Sequence, residues 1–134
     1  MFVLGKTSLA RLTGVDHKLV NIVKRAIEIS EVDFTVLEGV RTLARQRELY
    51  AQGRTTPGKI VTWTMKSKHI EGKAVDLVPY PLDWNDLSKF DKIKHAMFRA
   101  AAEQGVNIRW GADWNSNGIA REKGEYDSPH FEID

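Results

Sequence analysis

The sequence predicts an α+β fold in which a small, mainly antiparallel sheet is flanked by about three helices. Three amphipathic segments with helix-capping residues alternate with four short segments of β-type residues. These segments lack the regular strand–helix–strand spacing of a parallel sheet, which favours antiparallel pairing. At 134 residues, the chain is long enough for one ordinary core, so we expect a single domain over residues 1–134.

Capping residues delimit the predicted helices. Asp16 and Thr42 are suited to begin the first two, and Asp86 or Ser88 the third, because their short side chains accept hydrogen bonds from first-turn amides. Gly105 is suited to end the third helix. The predicted strands and the polar loops between them are as follows: strands 34–38, 74–78, 108–110 and 130–133, and loops 53–68 and 111–126.

Composition excludes several classes of protein. The chain has no cysteine, which excludes a disulfide scaffold, a cysteine-ligated zinc site and a thiol nucleophile. Its net charge of +2 is too small to predict a nucleic-acid partner. No apolar run approaches the ~20 residues of a membrane span, and the N-terminus lacks the features of a signal peptide. We therefore expect no membrane insertion and no Sec export.

Charge is unevenly distributed along the chain. Residues 41–73 carry eight basic and two acidic side chains, whereas residues 113–134 carry six acidic and two basic ones. The two segments either attract each other across the fold, or the basic one forms a rim around a site for an anionic partner such as a carboxylate-bearing polymer.

A metal site in this chain must use histidine and carboxylate ligands. Two of the four histidines, His17 at a helix start and His95 in mid-helix, are expected on the surface. His130 and Asp76 lie in predicted strands, and if these strands are neighbours the two side chains converge. Gly72 allows a sharp turn that brings His69 back towards Asp76.

Two histidines and one carboxylate leave the fourth tetrahedral position for water, as in catalytic zinc sites. Such ligands also accept cobalt, nickel or manganese. Spacing alone leaves an alternative open, namely two unrelated surface histidines and an ion-paired Asp76.

Three segments carry a family resemblance. SKHIEGKAVD (67–76) resembles the Ser-x-His-x-x-Gly-x-Ala-x-Asp motif of zinc peptidases of peptidoglycan, a family that includes D-alanyl-D-alanine carboxypeptidases and phage L-alanyl-D-glutamate endopeptidases. DSPHFE (127–132) resembles the second metal motif, and the segment from Gly39 to Thr42 resembles the one that supplies the active-site arginine. The motifs occur in family order, and GADWN (111–115) looks most like endolysins of phages that infect Gram-negative hosts.

The resemblance implies a D-alanyl-D-alanine carboxypeptidase and Hedgehog-like architecture that holds one zinc ion per chain. By this resemblance His69, Asp76 and His130 are the zinc ligands, Asp127 is the catalytic acid and base, and Arg41 faces the substrate carbonyl or carboxylate. The alternative for Arg41 is a structural ion pair after a strand.

Two residues of these motifs have open roles. Glu132 is either an acceptor that holds a ligand imidazole or an exposed salt-bridge partner. Ser67 either donates a hydrogen bond to a ligand carboxylate or caps the turn.

Residues 113–118 resemble part of a calcium-binding loop. Asp113, Asn115 and Asn117, followed by Gly118, fit the first half of an EF-hand calcium pattern, but the twelfth position is Gly124 instead of glutamate. The alternative to a Ca²⁺ loop is a turn rich in Asx hydrogen bonds.

The function that the resemblance implies is that of a phage endolysin, which cuts the L-alanyl-D-glutamate bond of bacterial peptidoglycan during host lysis. A D-alanyl-D-alanine carboxypeptidase and a noncatalytic, metal-stabilised wall-binding module are the alternatives. The resemblance also implies a protein made in the host cytoplasm that reaches the periplasm through a holin-type lesion. We expect a monomer.

Overall fold

The computed structural model describes residues 1–60, 68–122 and 126–134. Within these residues it contains four helices and four strands: α1 (Lys6–Arg11), α2 (His17–Ile29), β1 (Phe34–Glu38), α3 (Leu43–Ala51), β2 (Ala74–Pro79), α4 (Leu87–Gln104), β3 (Arg109–Trp110) and β4 (His130–Glu132).

The strands form one sheet in the order β1-β2-β4-β3, and every neighbouring pair is antiparallel. This confirms the predicted α+β class. Asp76 in β2 lies directly opposite His130 in β4, and Glu38 in β1 lies opposite Asp76 on the other side. Three strands therefore bring polar residues into one row across the sheet.

The predicted helix caps are also largely confirmed. The Asp16 side chain accepts a hydrogen bond from the Lys18 amide, and Thr42 accepts one from the Arg45 amide. Gly105 ends α4 in the left-handed conformation, with φ of 67°. Asp86 occupies the position before α4 without a side-chain bond to its amides.

One helix, α1, is missing from the sequence prediction. It has six residues and no side-chain cap, so it lacks the signals that delimit the other helices. Its position depends on β1, because Ser8 Oγ accepts a hydrogen bond from the Val36 amide and Arg11 Nη1 donates one to the Val36 carbonyl. The helix thereby covers backbone groups of an edge strand that would otherwise be free to pair with another chain.

The core lies between the sheet and two helices. The apolar stripe of α2 packs against α4, and α4 packs against β2. Val75 and Leu77 of β2 and Phe131 of β4 enter this core, and each is fully buried. Since side chains alternate along a strand, Asp76 and His130 are left on the opposite face of the sheet.

Gly72 makes the predicted sharp turn before β2. Its φ is +73°, and its carbonyl accepts a hydrogen bond of 2.8 Å from the Asp16 amide. A Cβ at this position would lie 2.7 Å from the Gly14 carbonyl oxygen. Both the backbone conformation and the close approach of the two chain segments therefore require glycine.

We expect Gly72→Ala to lower the free energy of unfolding by about 2 kcal/mol, from left-handed strain and from the contact with Gly14. This corresponds to a fall in Tm of roughly 6 °C, measured by thermal denaturation. Gly5→Ala is the control, because Gly5 has a φ of −74° and open space around its Cα. Equal Tm values for the two variants would contradict the role given to Gly72.

Candidate metal centre

Three side chains meet on the polar face of the sheet. Asp76 Oδ1 lies 3.2 Å from His69 Nε2 and 3.4 Å from His130 Nδ1. Within the described ranges this is the only group of three or more His, Asp or Glu residues whose ligand atoms all lie within 4.8 Å of one another. The structure thus brings together the residues that the first and second motifs single out.

Hydrogen bonds determine which nitrogen of each imidazole faces the cluster. His69 Nδ1 lies 2.8 Å from the Gly39 carbonyl oxygen, which can only accept, so His69 carries its proton on Nδ1. His130 Nε2 lies 2.8 Å from Glu132 Oε1. A neutral His130 therefore keeps its proton on Nε2, and both inward-facing nitrogens present lone pairs.

The charges of the cluster favour a cation. Burial raises the pKa of Asp76, but the two imidazoles outweigh it and hold this pKa well below its usual range. Burial lowers the pKa of His130, yet Asp76, Glu132 and Asp127 together raise it to about 9. The negative surroundings that stabilise a proton on this ring also favour a metal ion beside it.

The residues fit a divalent transition metal such as zinc. Asp76 Oδ1 is buried and has no hydrogen-bond partner among the described residues, which leaves it available to a ligand at the centre of the cluster. Two imidazole nitrogens and one carboxylate oxygen form the donor set of catalytic zinc sites.

Asp127 lies at the open side of the cluster. Its Oδ2 is 3.9 Å from His130 Nδ1, and 52% of its side chain is exposed. Partial loss of hydration and the nearby Asp76 carboxylate raise the pKa of Asp127. This carboxylate therefore combines contact with solvent and a stronger affinity for a proton.

Gly111 holds the backbone that carries Asp127 and His130. Its amide donates to the His130 carbonyl at 2.8 Å, and its carbonyl accepts from the Asp127 amide at 3.1 Å. A Cβ here would lie 2.2 Å from the Asp127 carbonyl oxygen. Only glycine allows this approach, a requirement that the sequence signals through the GADWN segment alone.

Arg41 lies beside the cluster in a salt bridge with Glu38 and a hydrogen bond to Gln46. Burial lowers its pKa, but Glu38, Asp76 and Asp127 raise it overall. The ion pair of the alternative interpretation is therefore present, and the charges of Asp76 and Asp127 also act on Arg41.

Glu132 contacts the His130 ring and also lies 3.7 Å from Arg109 Nη1. It is buried, so it is not the exposed salt-bridge partner of the alternative interpretation. Burial raises its pKa, but His130 and Arg109 lower it overall, which favours the ionised form that holds an imidazole. Ser67 lies outside the described residues.

The segment with the calcium pattern forms a turn. The Asp113 carboxylate accepts hydrogen bonds from the Asn117 and Gly118 amides, and Asn117 Oδ1 accepts one from the Ile119 amide. Asn115 Oδ1 accepts a further bond from the Asn117 amide. The Asx turns are thus present, and no contact among residues 113–122 supports a calcium site.

Sequence reasoning missed the contact between Trp114 and the cluster. The half-buried Trp114 ring lies 5.2 Å from the His130 ring, centroid to centroid. Its only sequence signal is its place in the GADWN segment. His17 and His95 are exposed, as predicted.

Comparisons with known proteins extend these findings. The family model described as phage L-alanyl-D-glutamate peptidase matches residues 1–133. An L-alanyl-D-glutamate peptidase of Escherichia phage T5 is 38% identical over 138 residues, which cover 98% of each protein. The peptidoglycan L-alanyl-D-glutamate endopeptidase CwlK of Bacillus subtilis (strain 168) is 31% identical, over 82% of this chain and 66% of CwlK.

Solved structures are similar as well. The L-Ala D-Glu endopeptidase ChiX of Serratia marcescens superposes with a TM-score of 0.80 at 32% identity, over 98% of this chain and 90% of ChiX. The LD-carboxypeptidase LdcB, at 16% identity, and the vancomycin resistance D,D-dipeptidase VanXYg, at 21%, have TM-scores of 0.61 and 0.55. Each alignment covers 89% of this chain, and 58% of LdcB or 50% of VanXYg. They confirm the predicted carboxypeptidase-like architecture.

We expect added Zn²⁺ to stabilise the metal-free protein and so to raise its Tm. At a free Zn²⁺ concentration of 100 times the Kd, the gain in the free energy of unfolding is about 2.7 kcal/mol. His69→Ala, Asp76→Ala and His130→Ala should each lose most of this increase, because each removes one of the candidate ligands. Thermal denaturation with and without the ion measures the effect. His17→Ala is the control, since its side chain is 84% exposed and lies in α2. A ligand variant that retains the full increase would disprove that assignment.

Proposed function

The chain belongs to the phage L-alanyl-D-glutamate peptidase family, and we propose that it hydrolyses the L-alanyl-D-glutamate bond of peptidoglycan stem peptides as a zinc-dependent endolysin. The observation that carries the proposal is the cluster of His69, Asp76 and His130 with a half-exposed carboxylate, Asp127, 3.9 Å from one of its ligand atoms. The names of the relatives support the choice of bond.

In the proposed mechanism His69, Asp76 and His130 hold the zinc ion. When bound, the ion supplies Lewis-acid chemistry, which lowers the pKa of water and polarises a peptide carbonyl. Asp127 accepts the proton of the attacking water and then delivers it to the departing amine. Arg41 donates hydrogen bonds to the negative oxygen that develops on the carbonyl. The peptide bond breaks without a covalent intermediate on the enzyme.

Electrostatics support the role of Asp127. Partial desolvation and the neighbouring Asp76 carboxylate raise the pKa of Asp127, which favours acceptance of a proton by this side chain. Its exposure leaves room for a water molecule and a substrate. A noncatalytic wall-binding module needs neither this carboxylate nor Arg41, so the presence of both favours an enzyme.

The cellular setting forms part of the proposal. No helix in the described parts of the chain is long and apolar enough to cross a membrane. We propose that the protein acts as a monomer on bacterial peptidoglycan in the periplasm, and that a holin-type lesion in the host membrane gives it access.

Digestion of purified peptidoglycan tests the choice of bond. Hydrolysis of the L-alanyl-D-glutamate bond releases stem peptides that begin with D-glutamate and leaves L-alanine on the glycan. Mass spectrometry should detect both products, and a chelator should abolish them. Release of free D-alanine instead would indicate a D-alanyl-D-alanine carboxypeptidase and contradict the proposal.

We expect Asp127→Asn to reduce hydrolysis by a factor of ~10²–10⁴, because the amide cannot accept the proton of water. Zinc content and Tm should change little, since Asp127 is not a proposed ligand. The measurements are initial rates on peptidoglycan, metal analysis and thermal denaturation, with the exposed Asp134→Asn as a matched control. A folded, zinc-loaded Asp127→Asn protein with the activity of this control would refute the role.

A further inference from the structure

Two side chains, those of Glu38 and Gln46, bind the guanidinium of Arg41. Glu38 accepts hydrogen bonds from Nε and Nη2, each at 2.8 Å, and Gln46 Oε1 accepts one from Nη1 at 2.7 Å. We infer that Glu38 and Gln46 are positioning residues that hold Arg41 in the orientation in which it meets the reacting peptide. This inference rests on the proposed function.

The backbone of Arg41 is already aligned with a metal ligand. The Arg41 amide donates a hydrogen bond of 2.9 Å to the His69 carbonyl, and His69 Nδ1 donates one of 2.8 Å to the Gly39 carbonyl. These two bonds fix the start of the arginine side chain relative to the cluster. These two bonds leave the rotatable bonds of the Arg41 side chain unconstrained, and this long side chain has many rotamers.

The contacts with Glu38 and Gln46 remove this freedom. The pair of bonds to Glu38 is the planar fork arrangement that fixes both the position and the plane of a guanidinium. The three bonds use three of its five N–H donors. With respect to residues 1–60, 68–122 and 126–134, one N–H on Nη1 and one on Nη2 are left, which suits the binding of an anionic oxygen of a substrate.

Gln46 is an unusual residue at its position. It is fully buried, and it is the only buried side chain among those described in α3. Burying an amide is unfavourable unless it is hydrogen-bonded, and an apolar side chain of similar size would pack α3 without this cost. The hydrogen bond from the Arg41 guanidinium to Gln46 Oε1 offsets part of this cost.

Three carboxylates, those of Glu38, Asp76 and Asp127, could pair with the Arg41 guanidinium, and Glu38 is the one that does. It lies opposite Asp76 in the β1–β2 register, and Arg41 interacts electrostatically with Glu38, Asp76 and Asp127. A guanidinium released from Glu38 would turn towards one of the other two carboxylates. By binding Arg41 in a fork, Glu38 leaves Asp76 to the metal and Asp127 to proton transfer.

A double-mutant cycle tests this inference. We expect Glu38→Gln to lower kcat on a purified stem-peptide fragment about 10- to 100-fold, because small displacements of a catalytic group have effects of this size. In an Arg41→Ala background the same substitution should change kcat less than about twofold, since Glu38 acts through Arg41. Zinc content and Tm are measured for each protein. If Arg41→Ala fails to fold, Arg41→Met takes its place in the cycle. If Glu38→Gln fails to fold, Gln46→Met takes its place.

The chain offers a matched control in Glu48→Gln. Glu48 pairs with Arg45 at 2.9 Å with the same three-residue spacing, but on the exposed face of α3. It should leave kcat unchanged. An unchanged kcat in Glu38→Gln, or the same loss in both backgrounds, would overturn the inference. If wild-type protein cleaves the fragment and Arg41→Ala cleaves it equally fast, the inference fails while the peptidase function stands; if wild-type protein cleaves nothing, the proposed function itself fails.

Discussion

The antiparallel register of β2 and β4 is the constraint on which the site depends. Two backbone bonds of 2.9 Å, from Leu77 to the Pro129 carbonyl and from Ile133 to the Lys73 carbonyl, accompany the pairing of Asp76 with His130. Because side chains alternate along a strand, a slip of one residue would exchange the core face and the polar face. The burial of apolar side chains on one face of these strands thus keeps Asp76 and His130 side by side on the other.

Backbone hydrogen bonds join the segments that carry the other site residues to β2 and β4. The turn at Gly72 places His69 beside the start of β2. The His69 ring and carbonyl form hydrogen bonds with the segment from Gly39 to Arg41. On the other side Gly111 bonds to the backbone of both Asp127 and His130. Because the backbone at these residues is fixed, only side-chain torsions remain to be ordered, which limits the entropy lost when a substrate binds.

Sequence reasoning reached the features that depend on local pattern. Caps such as Thr42 and the alternation around Asp76 follow from short-range chemistry, and the family motifs predict the residues that cluster. Features set by tertiary contacts were not predicted. The six-residue α1 depends on hydrogen bonds to β1. The hydrogen bonds of Arg41 with Glu38 and Gln46 join a loop residue to a strand and a helix. The calcium pattern at 113–118 shows the opposite limit, since the same Asx residues suit an ion or a turn, and the structure has the turn.

Charge balance gives a physical reason why the cluster suits a divalent ion. The Glu38 carboxylate is matched by Arg41, and that of Glu132 by Arg109 and a hydrogen-bonded imidazole. In the described part of the chain Asp76 and Asp127 form ion pairs with imidazoles only, and with no arginine or lysine. Two negative charges beside two neutral imidazoles are balanced by a single ion of charge +2. The same carboxylates raise the pKa of His130, so metal binding and release of a proton from this ring should be linked.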